Sequence, residues 1–121
     1  MVEGPFSQMP GYRAPTIPAE LVTPVLVRDE LLKCFESANS EFMEVLRQPF
    51  TPQGIREQVH QFVTGVFQNC GVSFENPSKV GIMTAISQCK ANAEAMMGPA
   101  GSDIIEHHYD EMIKLVEKLP D

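Results

Sequence analysis

Several groupings of side chains in this sequence have the types and spacing that chemistry requires. Glu57 and His60 stand three positions apart, which on a helix stacks a carboxylate beside an imidazole, a donor pair suited to a metal centre. Glu41 with Glu44, and Asp103 with Glu106, repeat that spacing with two carboxylates each, the hard oxygen donors that magnesium takes. Cys34, Cys70, Cys89 and His108 supply three thiols and an imidazole, the ligand types of zinc. His60 and His108 are each candidates for a proton-handling or group-transfer role.

The direction in which a helix turns each side chain decides whether these groups meet. Successive residues are rotated by about 100° on a helix. On that wheel the apolar arc around Glu57 and His60 centres near Val59 and Val66, so His60 falls at its edge and Glu57 on the solvent side. The spacing is similar to half of the ligand set in ferritin-like di-iron bundles, which needs a second Glu-x-x-His facing inward. His107 and His108 are instead preceded at that offset by Ile104 and Ile105. Glu41-Glu44 and Asp103-Glu106 are similar to the paired acids of all-helical nucleotide pyrophosphohydrolases, yet both pairs lie opposite the apolar stripes of their helices. The three cysteines and His108 fall one to a helix at different heights and cannot converge on one ion. His60 resembles the exposed histidine of phosphotransfer bundles in architecture only, since Val63 and Thr64 stand where that family has Lys and Gly. No catalytic residue, metal ligand set or cofactor is assigned. His108 is the exception in placement: it sits mid-arc among Ile104, Met112 and Leu115, so His108 and Met112 are the candidate ligand-binding residues.

The elements that position these groups are all helical. Residues 1–24 hold Pro5, Pro10, Pro15, Pro18 and Pro24, half of the 10 prolines, so they form an extended arm with one turn near Ala19–Val22. Phe6, Met9, Tyr12, Ile17, Leu21 and Val22 make that arm apolar enough to lie in a groove, on its own chain or on a partner. Residues 25–121 form the domain, with helices at about 25–47, 52–70, 77–97 and 103–119. In the first helix Leu31, Phe35, Ala38, Phe42 and Val45 form a seam, with Asp29, Glu30, Lys33, Glu36, Glu41 and Glu44 opposite. Thr51-Pro52 and Asn76-Pro77 read as helix starts, Gly71 as a left-handed stop, and Ser102 as the cap of the last helix. The connections of roughly four to six residues predict an antiparallel four-helix bundle.

Composition narrows the function classes. With 16 acids against 9 scattered bases, the formal charge of −7 argues against nucleic acid and against anionic membrane surfaces. No apolar run approaches the length of a membrane helix, and the N-terminus lacks the basic and apolar regions of a secretion signal. The odd, widely spaced cysteines predict free thiols in the cytoplasm.

The third helix carries a second face. Val80, Thr84, Ser87, Ala91 and Ala95 repeat at helical spacing with small, weakly polar side chains, which allow a close backbone approach. Either the arm or a two-fold copy of the same helix fits there. The sequence therefore predicts a small cytoplasmic helical interaction or assembly module, non-catalytic, working as a homodimer or with another protein partner. The rival class is a small-molecule or metal-binding bundle enzyme organised around His108, with a phosphotransfer-like bundle using His60 behind it.

Overall fold

The structure, a computed structural model, describes residues 12–120; the expected groove residues Phe6 and Met9 lie outside these. Among the described residues the chain is all helical, with three helices: α1 (Pro24–Leu46), α2 (Pro52–Asn69) and α3 (Lys79–Val116). Ahead of α1 the chain runs without regular structure from Tyr12 and makes one 3-10 turn at Ala19–Leu21, where the turn was expected.

Each helix begins at a hydroxyl cap. The Thr23 side chain accepts from the Leu26 N–H at 3.1 Å, and Pro24 opens α1 with its φ already near helical. Thr51 accepts from Gly54 at 3.0 Å and Pro52 opens α2. The expected start of α3 at Asn76-Pro77 is corrected to Ser78, whose hydroxyl accepts from Gly81 at 2.9 Å. Arg47 ends α1 in the left-handed region at φ 57. Beyond α2, Gly71 takes φ 71, and the Val72 N–H returns to the Phe67 carbonyl at 2.9 Å, closing the end of the helix.

The four-helix description is corrected to three. The segments expected at 77–97 and 103–119 belong to one element, with a single interruption at Gly98 (φ 78, ψ −170) followed by Pro99. Gly101 and Ser102 lie inside the helix, so Ser102 caps nothing. The interruption reverses the chain. Lys90 Nζ lies 4.0 Å from Glu106 Oε2 and 5.4 Å from the centroid of the Tyr109 ring, whereas a straight helix would hold Lys90 and Glu106 about 24 Å apart. α3 is therefore folded back on itself, two halves side by side.

α1 packs against both other helices, mainly α3. Its buried apolar residues are Val27, Leu31, Cys34, Phe35 and Ala38, which join Val59, Val63 and Phe67 of α2 and Ile82, Ile86, Cys89, Ile105, Met112 and Leu115 of α3 in one core. Each fully buried aliphatic or aromatic side chain contributes about 1.5–3 kcal/mol relative to exposure. One seam expectation fails, and a second large apolar side chain is also left outside the core. Val45, in the last turn of α1, is 56% exposed, and Met96, in the last turn before Gly98, is 75% exposed. Conversely Glu30, expected on the polar face, is buried.

Candidate functional site

His108 is the one buried histidine among the described residues, at 1% exposure. The second half of α3 places it between Ile104 and Met112, one turn to either side, with Met112 fully buried. Its Nδ1 lies 2.8 Å from the Ile104 carbonyl. A carbonyl oxygen only accepts, so Nδ1 carries the proton and donates. The second ring nitrogen, Nε2, is buried without a hydrogen bond. The group facing it is Glu41 Oε1, 3.5 Å away across the contact between α1 and α3. Imidazole and carboxyl group thus face each other across the helix contact just beyond hydrogen-bond geometry. A proton, or a donor from a bound molecule, would convert that contact into a bond.

Glu41 is the residue missed by the wheel. It stands at the boundary of the α1 polar face with its side chain 41% exposed, and reaches inward to the imidazole. The signal for it was positional: Ala38 and Phe42, three residues before and one after, flank it with apolar side chains.

The other sequence candidates separate. Glu57 is exposed and accepts from Gln53 Nε2 at 2.9 Å, while His60 is exposed with its ring edge on Phe74, centroids 5.5 Å apart. Glu44 and Asp103 are exposed, and Glu106 faces Lys90. Cys34 and Cys89 are buried free thiols and Cys70 is half-buried. Burial pushes the Cys34 thiol up to about 12, helped by the Glu30 charge; burial and then Cys70 do the same for Cys89. Thiols held protonated in this way are poor nucleophiles and poor ligands. Among the described residues no three His, Cys, Asp or Glu side chains converge on a point where an ion could be held. No helix of the described residues is long and apolar enough to cross a membrane.

The second face of α3 is open. Val80 is 75% exposed, and Thr84, Ser87, Ala91 and Ala95 are exposed below it, with Met83 at 44% on the same side. The described arm lies elsewhere. Tyr12 donates to Glu30, the Ala14 N–H donates to Glu111, and Lys118 donates to the Ile17 carbonyl. These contacts dock the arm on its own chain, between α1 and the second half of α3.

Compared with protein-family models, with curated proteins and with solved structures, the chain matches none.

Proposed function

We propose that this protein is a non-catalytic helical assembly module that pairs with a second copy of itself through the open face of α3. The observation that carries this reading is the exposure of Val80 and Met83 above the small residues Thr84, Ser87, Ala91 and Ala95 on one helix face. A contiguous apolar and small-residue surface gains from being covered, and small side chains let two helix backbones approach closely. Without Ser87 the spacing also reads the same in both directions: Val80 and Thr84 lie four apart, as do Ala91 and Ala95, about a midpoint between Ser87 and Gln88. An antiparallel two-fold crossing near Ser87 would set Val80 over the partner's Ala95 and Thr84 over the partner's Ala91, an isologous contact. The buried free thiols fit work in a reducing compartment such as the cytoplasm.

Mass in solution by light scattering tests this directly. The expected result is a dimer that Ala91→Glu dissociates while helicity is kept. A strict monomer at high concentration sinks the proposal.

A second reading is favoured by one distance, the 3.5 Å between Glu41 Oε1 and the buried Nε2 of His108. In that reading His108 and Met112 serve a small-molecule or metal-binding site with Glu41 as the second titratable group. His108→Leu separates the alternatives: a more stable chain with unchanged ligand and metal binding makes the histidine structural.

A further inference from the structure

The arm is fastened to α3 at two points. The Ala14 N–H donates to Glu111 Oε1 at 3.2 Å, and the Lys118 ammonium donates to the Ile17 carbonyl at 2.9 Å. An extended chain covers about 10 Å from Ala14 to Ile17. A helix rises about 10 Å from Glu111 to Lys118. The two tracks keep step, so arm and helix become facing walls of a cleft. Its volume is about 370 Å³, within the range of small-molecule sites. Leu115 is buried beneath it, and Arg13, Thr16, Glu111, Lys114 and Lys118 supply its polar groups.

Charge at this cleft runs against the rest of the molecule. On a chain of net −7, it collects three cations, Arg13, Lys114 and Lys118, against the single carboxylate of Glu111. That carboxylate is already engaged on both oxygens, Oε1 by the Ala14 N–H and Oε2 by Lys114 Nζ at 2.7 Å. The Lys114 hydrogen bond, then the Ala14 N–H, hold its carboxyl below the ordinary range, so it stays ionised and bound to them. Each ammonium has three N–H donors and the guanidinium has five, and the contacts named here use one from each lysine.

We propose that this cleft between the arm and the second half of α3 binds a small organic phosphate. Three cations from two walls suit a dianion with three terminal oxygens better than a monocarboxylate, which a single cation satisfies. The Thr16 hydroxyl adds a neutral donor, and Pro15 with Leu115 gives the ligand's carbon skeleton an apolar wall. The acidic remainder of the chain repels anions at long range, but that repulsion is screened beyond about 8 Å at physiological salt. Binding is therefore local and salt-sensitive. Because one wall is the arm, the ligand also fastens the arm to α3.

The test is an amide-shift NMR titration of the full chain with glycerol 3-phosphate, with succinate and sodium chloride as parallel arms. The expected result is saturable shifts confined to Ala14–Ile17 and Glu111–Lys118. Arg13→Gln and Lys114→Gln should each weaken binding by at least about tenfold, the equivalent of one charge-assisted hydrogen bond. Arg13→Gln leaves both fastening hydrogen bonds in place, so its loss of affinity cannot be ascribed to release of the arm. Arg56→Gln, on the exposed side of α2, should leave binding unchanged. Shifts that do not saturate, an equal response to succinate or chloride, or unchanged affinity in Arg13→Gln would overturn the assignment.

Discussion

The Tyr12 hydroxyl donates a 2.8 Å hydrogen bond to Glu30 Oε1, joining the arm to α1 inside the protein, where both residues are buried. Lys33 Nζ approaches the other carboxylate oxygen at 3.3 Å from the solvent side. A buried carboxylate needs such partners, and an unsatisfied one costs more than the bond itself contributes. Tyr12→Phe removes the donor and keeps the ring. It should destabilise the chain by about 1–3 kcal/mol, read as a lower urea midpoint, and should speed hydrogen exchange at the Ala14 amide. Glu30→Gln, which still offers Tyr12 an acceptor, should cost less. A Tyr12→Phe chain with the parent's midpoint would detach the arm from the fold's stability.

Stability should fall at alkaline pH. Burial, then the Glu30 hydrogen bond and charge, raise the Tyr12 phenol above its ordinary range, and the Cys34 and Cys89 thiols are pushed up to about 12. In each case the fold favours the neutral form. The unfolded chain therefore releases these protons first, the thiols from about pH 9 and the phenol near pH 10. It binds fewer protons than the native state in that window, so stability is complete below about pH 9 and declines as pH rises toward about 12. Urea midpoints measured across that window should fall, and the slope should be shallower in Tyr12→Phe. A flat profile would contradict the burial of these groups.

Gly98 makes the reversal of α3 possible. Its φ of 78 with ψ of −170 is a region that only glycine occupies without strain. Space is not the obstacle, since a Cβ there would meet nothing within contact distance. Gly98→Ala should cost about 1–3 kcal/mol from backbone strain alone, visible as a lower melting temperature with helicity retained. Gly101→Ala should be destabilising for the opposite reason: its conformation is helical, but a Cβ would collide with the Met97 side chain.

Glu41→Gln tests the contact with the buried ring of His108. The substituted amide can turn an N–H toward Nε2 of a neutral ring, giving this buried nitrogen the partner it lacks. At pH 8 the variant should be more stable than the parent by about 0.5–1.5 kcal/mol, the net worth of one hydrogen bond. A loss of stability would mean that the carboxylate, and hence its charge, is what this histidine requires.

Much of the local structure was legible residue by residue. Thr51-Pro52 reads as a helix start because the hydroxyl supplies an acceptor and the ring a preset φ. Gly71 stops one because only glycine takes positive φ at low cost. His108 was legible as a misplaced polar group, since its neighbours at one-turn spacing are all apolar. Glu30 was not, although Val27 and Cys34 flank it at three and four residues. Its burial depends on Tyr12, which is 18 positions away and belongs to another element. Glu41 was hidden for the same reason: a residue at the edge of a helix face goes inward or outward according to what the facing helix offers.

The division follows the range of the forces. Caps, stops, apolar stripes and the small-residue face of α3 are set by residues within a few positions of one another, so the sequence by itself determined an all-helical chain, the α1 and α2 boundaries to within a residue or so, and a face rich in small residues, but not what covers that face. What lay beyond it were contacts between distant positions. Only the tertiary structure decided that the chain folds back at Gly98 so that the two halves of α3 lie side by side, that the described arm docks on its own chain, and that Glu41 meets His108. It also brought Arg13 to the same cleft as Lys114 and Lys118, a gathering of charge that no local pattern contains.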